Sequence, residues 1–188
     1  ATLGNSNSFP LDDFTIIIRF KSFGDNNSQY QLLDRDWNGT ISSGDWAASI
    51  NYGFVQFAWQ RTGNHPGILS TTNVNDSVWH EVVIKRNSQS GLVELYIDGV
   101  LEDSHTEITG TLYNTNLVHL GRHAVVNGLD FNGCIDFLAI CDSNVNINNI
   151  NSITPSQCMG YYDFNTGLSL LDLSGNNNNG TIYGGPST

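Results

Sequence analysis

Apolar and polar residues alternate along much of the chain, most clearly from Trp79 to Leu101, which reads WHEVVIKRNSQSGLVELYIDGVL. Val82 and Ile84 share one face of the first half, whereas Val83 and Lys85 share the other. A period of two places successive side chains on opposite sides of a strand. The stretch therefore predicts two half-buried antiparallel strands joined by a glycine-bearing turn.

Other short segments show the same period and are separated by turn-forming residues. They are 12–23, 30–34, 46–50, 53–60, 68–72, 106–113 (weaker), 117–121, 131–141, 161–165 and 181–183. Residues 144–153 depart from it, because their apolar spacing suits a short helix that Pro155 would end. Many short strands with turns between them predict an all-β fold, in which two antiparallel sheets stack as a sandwich or jelly roll.

Charge and length narrow the function classes. With 188 residues the chain is expected to form one domain, and its net charge is -11 with only seven Lys and Arg. Phosphate binding needs clustered cations, so nucleic acid is not an expected partner. No apolar run approaches the roughly 18 residues of a membrane span, so no membrane insertion is predicted. The acidity suits cation binding, or serves solubility alone.

The three cysteines show neither a Cys-x-x-Cys pair nor zinc-site spacing. Cys134 and Cys141 are seven residues apart on one predicted strand, so they should point to opposite faces and not pair. Cys158 could bridge to either of them in an oxidising compartment. The alternative is that all three are buried thiols.

Several segments together resemble a known family. DFTIIIRFK, WHEVVIKR, LYIDGVL, HLGR and FNGCIDFLAI occur in an order and at spacings similar to those of laminin G-like domains in the concanavalin A-like lectin/glucanase superfamily. The C-terminal stretch YYDFNTGLSLLDLSGNNNNGTIYGG, residues 161–185, resembles the opening strand and Asp-x-Ser-Gly-Asn loop of that family. The resemblance implies a jelly roll with a short helix after the strand 131–141.

The order of these segments departs from the family, in which the stretch resembling 161–185 usually comes first. Three explanations are open: a circular permutation, donation of the strand to a neighbouring chain, or a fragment cut from a tandem array. Permutation is favoured, because the termini of a sandwich are often close in space. On that interpretation residues 1–188 form a single domain, which residues 159–188 complete.

The carboxylates of the chain do not form the acidic motif that cleavage of a glycosidic bond would need. Glucanases of the superfamily carry an alternating acidic motif on one strand, because two carboxylates must flank the glycosidic bond. Glu94 and Asp98 share a strand face, but no third carboxylate completes the motif. Asp98 also precedes Gly99, where its side chain is expected to cap a turn. We therefore expect no enzyme activity.

Carbohydrate binding is the better prediction, because sugars are held by flat aromatic faces and planar polar groups. The candidate ligand-binding residues are Trp37, Trp46, Tyr52, Trp59, Arg61, His65, Tyr113 and His123. A core role is the alternative for Trp59, which shares a face with Phe57. Solvated loop positions are the alternative for the loop residues. Trp79 matches the buried tryptophan of the family and is expected in the core, and His80 is expected to be structural.

The resemblance also implies one structural calcium ion. Calcium prefers six to eight oxygen ligands, and the positions that match the family's site are Asp136, Asn165, Asp172 and Asn176. Asn165 stands where the family more often has a carboxylate. The alternative is that Asp172 and Asn176 only shape an Asx turn.

Together these features predict a non-catalytic, carbohydrate-binding module that is extracellular or at the cell surface and belongs to a larger protein. The first alternative is an adhesion module that binds an extracellular protein. The second is a polysaccharide hydrolase or lyase.

Overall fold

The computed structural model describes residues 1–5, 8–9, 12–35, 44–59, 66–106, 109–112, 115–142, 145, 152–165 and 169–183. The regular elements within these residues are twelve strands and one 3-10 helix. The strands are β1 (Thr2–Leu3), β2 (Phe14–Ser22), β3 (Gln29–Arg35), β4 (Trp46–Asn51), β5 (Phe54–Trp59), β6 (Gly67–Asn73), β7 (Trp79–Arg86), β8 (Leu92–Ile97), β9 (Val100–Thr106), β10 (Val118–Leu120), β11 (Gly133–Cys141) and β12 (Gly160–Tyr162), and the 3-10 helix is Pro155–Gln157.

The strands form two six-stranded antiparallel sheets, as the alternation predicts. The first sheet has the order β1-β10-β3-β4-β5-β6, and the second has the order β12-β11-β2-β7-β8-β9. The helix predicted over 144–153 lies largely outside the described residues. Within the described part of the chain, no helix has the length and apolarity needed to cross a bilayer.

The two sheets enclose one hydrophobic core between their inner faces. Strand β2 contributes Phe14, Ile16, Ile18 and Phe20, all of them fully buried. Phe57 of the opposing sheet meets Phe14 edge-on, with ring centroids 5.9 Å apart. Each fully buried side chain of this kind contributes about 1.5–3 kcal/mol relative to an exposed one. The alternation along β2 therefore places one row of apolar side chains in this core, and their burial stabilises the fold.

The outer face of the second sheet is covered over part of its area by a second, smaller apolar cluster. Ile17, Val83 and Ala139 lie side by side on β2, β7 and β11, and all are buried. Val145 and Ile153, from the chain after β11, pack on them. The uncovered part of this face carries polar and aromatic side chains.

A disulfide joins Cys141 to Cys158 within this second cluster, and Cys134 is an exposed free thiol. The prediction that Cys134 and Cys141 point to opposite faces is wrong. A β-bulge between Ile135 and Phe137 inserts one residue, which shifts the alternation. Cys134 is therefore paired with Lys21 and Cys141 with Thr15, both on the outer face.

The C-terminal segment contacts the edges of both sheets of the same chain. Strand β12 pairs with β11, which extends the second sheet. Thr181 exchanges two backbone hydrogen bonds with Thr2, at 2.9 and 2.8 Å, beside the edge strand β1 of the first sheet. The last described residues and the first ones are thus neighbours in space. Circular permutation of the family order stays a prediction.

His80 lies between two carboxylates and has the structural role that the sequence predicts. Its Nδ1 is 2.7 Å from Asp98 Oδ2 and its Nε2 is 3.2 Å from Asp76 Oδ1. Burial disfavours the imidazolium, but the hydrogen bonds to Asp98 and Asp76 and their charges outweigh it, so the pKa of His80 is raised from 6.5. Asp98 and Gly99 both have positive φ, 50° and 82°, in the two-residue turn between β8 and β9.

Removal of the disulfide should lower the free energy of unfolding. The bond closes a loop of sequence separation 17, and closing a loop of this size restricts the unfolded chain by about 3 kcal/mol. We expect the double variant C141A/C158A to lose about 2–4 kcal/mol in urea unfolding. The matched control C134A should unfold like the wild type. Equal stability of the two variants would contradict the pairing.

The stability that His80 contributes should depend on pH. A raised folded-state pKa means that the contribution is complete below the unfolded pKa of 6.5 and is lost as pH rises through the folded value. The free-energy difference between wild type and His80→Gln should therefore shrink between about pH 6 and pH 9. Urea unfolding across this range measures it. Parallel profiles of the two proteins would be inconsistent with a charged His80.

Candidate functional site

A pocket of about 280 Å³ opens on the uncovered part of the outer face of the second sheet. We call it the outer-face pocket. The pairing register places Arg19 of β2 between Glu81 of β7 and Phe137 of β11. The residues that line the pocket are Arg19, Glu81, Asp136, Phe137, Ile153, Tyr161, Asp163 and Asn165. Its floor is therefore built from paired strands, which hold side chains more rigidly than loops do.

Trp79 lies one step further along the same face, next to the outer-face pocket. The residue is 38% exposed, and its backbone is paired with that of Lys21. The Arg19 guanidinium carbon is 5.7 Å from the ring centroid of Trp79, and Lys21 Nζ is 5.2 Å from it. Lys21 Nζ also lies 5.3 Å from the ring centroid of Phe23, which is 47% exposed. These cation–π contacts orient an exposed aromatic surface.

The expectation that Trp79 belongs to the core is wrong. Alternation places Trp79 on the side of Glu81 and Lys85, whereas His80 shares the inner side with Val82. The sequence carried this signal in the period of two. The resemblance to the family instead predicted a buried tryptophan. The alternation of the strand gives the correct face of Trp79.

Opposite charges meet at the rim of the outer-face pocket. Arg19 Nη1 is 3.3 Å from Asp136 Oδ2, and both side chains are about half exposed. An ion pair so exposed adds little stability. Asp136 reaches Arg19 because it is the extra residue of the β-bulge.

Burial raises the pKa of Glu81, and the charge of Asp98 raises it further, while Arg19 lowers it in part. Glu81 lies between these two groups. On the other side of the pocket, Phe137 and Tyr161 meet edge-on, with ring centroids 4.9 Å apart. Exposed aromatic surface and planar polar groups that donate and accept hydrogen bonds thus converge here. Such an arrangement can hold a polyhydroxylated ligand against a ring face.

The two carboxylates weighed for catalysis are engaged elsewhere. Glu94 Oε1 accepts a hydrogen bond of 3.0 Å from the Tyr96 hydroxyl. Asp98 Oδ1 accepts one of 2.8 Å from the Glu81 backbone N–H, next to its contact with His80. Asp98 therefore links the turn between β8 and β9 to strand β7, and its hydrogen bonds to Glu81 and His80 do not cap its own turn.

Trp46 and Trp59 are core residues and cannot stack on a ligand. They are 2% and 3% exposed, and their rings lie 6.1 and 5.7 Å from that of Phe57. For Trp59 the structure supports the alternative core role. The prediction that Trp46 lies in a binding site is wrong. Its ring and that of Trp59 project into the core from paired positions of β4 and β5.

Of the remaining predicted ligand-binding residues, the two that the structure describes, Tyr52 and His123, lie at different ends of the first sheet. Tyr52 is 58% exposed in the turn between β4 and β5, at the opposite end of β5 from Trp59. His123 Nδ1 lies 3.8 Å from the buried carboxylate of Asp34. The other four, Trp37, Arg61, His65 and Tyr113, lie outside the described residues.

The four predicted calcium ligands are not brought to one place. Asp136 and Asn165 line the outer-face pocket, whereas Asn176 lines a separate cleft. Both oxygens of Asp172 are occupied: Oδ1 accepts from the backbone of Tyr161 and Ser174, and Oδ2 accepts from Ser174 Oγ and Asn178 N, all at 2.8–3.0 Å. The carboxylate of Asp172 is thus fully engaged in hydrogen bonds, and the calcium site stays a prediction. Among the described residues, no three His, Cys, Asp or Glu side chains converge as metal ligands would.

A family model assigns the chain to a known superfamily. A laminin G family model of the concanavalin A-like lectin/glucanases superfamily matches residues 1–151. The chain therefore belongs to this superfamily, as the sequence segments predict. No curated protein matches the sequence significantly.

Solved structures share the fold at low sequence identity. A candidate carbohydrate binding protein from Bacteroides ovatus ATCC 8483 has a TM-score of 0.73 and 12% identity, over 95% of this chain and 54% of that one. Mouse laminin alpha1 domains LG4-5 have a TM-score of 0.59 and 14% identity, over 78% and 40%. The Ruminococcus gnavus IT-sialidase CBM40 bound to alpha2,3 sialyllactose has a TM-score of 0.61 and 19% identity, over 80% and 90%. The chain thus spans about half the length of the first two.

Replacement of Asp172 tests whether its carboxylate serves hydrogen bonds or an ion. Each hydrogen bond to a charged group contributes about 1.5–3 kcal/mol, so we expect Asp172→Ala to lower the free energy of unfolding by at least about 2 kcal/mol. Unfolding is measured with added calcium and with a chelator. An equal loss in both conditions is expected from the hydrogen bonds. A loss seen only with calcium would instead establish the predicted metal role.

Proposed function

We propose that the chain is a non-catalytic carbohydrate-binding module and that the outer-face pocket, with Trp79 beside it, is its binding site. The observation that carries the proposal is an exposed indole fixed next to a pocket of planar polar side chains. An exposed indole offers a flat apolar surface on which a sugar ring can stack. A sugar ring covers it with its apolar face, while its hydroxyls reach Arg19, Glu81 and Asp136.

The placement of these groups on paired strands supports the proposal. Arg19, Glu81 and Trp79 come from two neighbouring strands whose backbone hydrogen bonds fix their spacing. Little entropy is then lost when a ligand binds, and this lowers the cost of binding. The carbohydrate-binding domains among the similar folds support the same function, although they share only the fold with this chain.

We also propose an extracellular or cell-surface location within a larger protein. The Cys141–Cys158 disulfide is buried among apolar side chains, and such bonds persist where the environment is oxidising.

An adhesion function with a protein partner is the second candidate. Phe23 and Trp79, together with Val78 at 55% exposure, present apolar surface beside the outer-face pocket. Laminin LG domains share the fold. A standard protein interface buries about 800 Å² on each partner, so a protein would have to extend well beyond these three side chains. The concave pocket favours a small ligand instead.

Truncation of Trp79 should weaken glycan binding and preserve the fold. Trp79→Ala removes the exposed ring but no core contact, so we expect affinity to fall at least about tenfold, which corresponds to about 1.4 kcal/mol. A glycan array identifies ligands, and calorimetry with the strongest one measures the loss. The melting temperature should change little.

Tyr52→Ala is the matched control, because Tyr52 is an exposed aromatic residue away from the outer-face pocket. It should bind like the wild type. Loss of binding in Tyr52→Ala with full retention in Trp79→Ala would move the site to the residues predicted from the sequence. Absence of any glycan ligand, with capture of a defined extracellular protein, would favour the adhesion function.

A further inference from the structure

We infer that a second cleft in this molecule binds a neutral saccharide or polyol. This cleft, which we call the terminal cleft, lies between the N-terminal loop around Asn5 and Ser8, the 3-10 helix Pro155–Gln157 and the asparagine loop at Asn176 and Asn178. Its volume is about 720 Å³, which is within the range of about 300–1,000 Å³ typical of ligand pockets.

Direct hydrogen bonds join the three walls of the terminal cleft. Ser8 Oγ donates to Asn178 Oδ1 at 2.6 Å, which ties the N-terminal loop to the asparagine loop. Asn178 Nδ2 donates to the Met159 carbonyl at 2.7 Å, and Asn176 Nδ2 donates to the Cys158 carbonyl at 3.0 Å. The two asparagines thus bind the loop to the chain that follows the 3-10 helix. The cleft is formed before any ligand arrives.

Buried groups support these walls from behind. Arg35 is fully buried and donates to the carbonyls of Ser8 and Phe9. The hydroxyl of the buried Tyr162 donates to the Asn178 carbonyl at 2.6 Å. The disulfide holds Cys158 against the sheet. A preformed, supported cleft loses little conformational entropy on binding.

The side chains that line the terminal cleft determine its ligand. Asn5, Ser156, Gln157 and Asn176 are exposed and end in amides or a hydroxyl. Gln157 Oε1 accepts from the Thr154 backbone at 2.7 Å, so its carboxamide has a fixed orientation. Amides and hydroxyls both donate and accept hydrogen bonds, which matches the hydroxyls of a sugar or polyol.

The charge of the terminal cleft does not suit an anion or a calcium ion as its ligand. Asp142 carries the only charged side chain among the described residues that line the terminal cleft, so an anion would find no cationic partner there. Calcium sites usually take several of their ligands from carboxylates, and the described lining of the terminal cleft supplies one. The ring of Phe9 is 1% exposed, so a bound sugar would be held by its hydroxyls and not by stacking. The chemistry differs from that of the outer-face pocket, and no lining residue is shared between them.

Nuclear magnetic resonance titration tests this inference on the whole chain. The probes are neutral tetrasaccharides built from glucose, mannose, galactose or xylose. At least one of them should shift the side-chain amide signals of Asn5, Gln157 and Asn176 in a saturable manner. The same shifts should persist in Trp79→Ala, because the terminal cleft does not depend on the outer-face pocket.

A blocking variant gives the second readout. Ser156→Trp fills the terminal cleft, so the amide shifts of Asn5 and Asn176 should disappear, or the affinity measured from them should fall at least tenfold. Ser104→Trp is the matched control on the exposed face of β9 and should leave the titration unchanged. Retained melting temperatures show that both variants fold.

Two results would overturn the inference. One is that none of the four tetrasaccharides shifts the amides of the terminal cleft. The other is that Ser156→Trp leaves those shifts intact. Shifts confined to the Trp79 indole would support the proposed function and reject the second site, whereas shifts confined to the terminal cleft would do the reverse.

Discussion

Strand β2 is hydrogen-bonded to β11 on one side and to β7 on the other, and this double pairing positions every other feature of the second sheet. Its inner side chains, such as Ile16 and Ile18, complete the core between the sheets. Its outer side chains are apolar at Ile17 and charged at Arg19 and Lys21. A slip of one residue would place both cations in the core. The cost of burying unpaired charge fixes the register and, with it, the outer-face pocket.

The outer face of this sheet is divided into a covered and an open part, and the division follows from β2. Ile17 attracts the apolar side chains of Val145 and Ile153, which the disulfide keeps near the sheet. Arg19 lies two residues further along, and its guanidinium lies over the ring of Trp79 and beside the outer-face pocket. Ile153 forms one wall of the outer-face pocket, and Cys158 forms part of the terminal cleft. Described residues near the disulfide thus contribute to both clefts.

The tryptophans show how far sequence reasoning reached the site. Alternation along β5 indicates that Trp59 shares the face of Phe57, and the structure places both rings in the core. The same alternation indicates that Trp79 lies with Glu81 on the outside, but similarity to the family outweighed it. The local period gave the correct side in both cases, because a strand has only two faces and the charged neighbours must face water. Alternation along β2 and β7 alone therefore places Arg19, Glu81 and Trp79 on one outer face, although it does not reveal the pocket between them.

The sequence by itself predicted the two-sheet architecture and most of the strands, but it missed β1 and most of β9, and the described residues of the segments predicted as strands over 106–113 and 181–183 form no strand beyond the end of β9 at Thr106. The correct predictions follow from a period of two between near neighbours, together with the preference of apolar side chains for the interior. Only the tertiary structure decided the bulge at Asp136, the partner of Cys158 and the hydrogen bonds that saturate Asp172. Each of these depends on groups that are distant in sequence or on one inserted residue. A repeating local pattern carries no information about such contacts. The two clefts are lined by segments that are distant in sequence, so only the tertiary structure shows them.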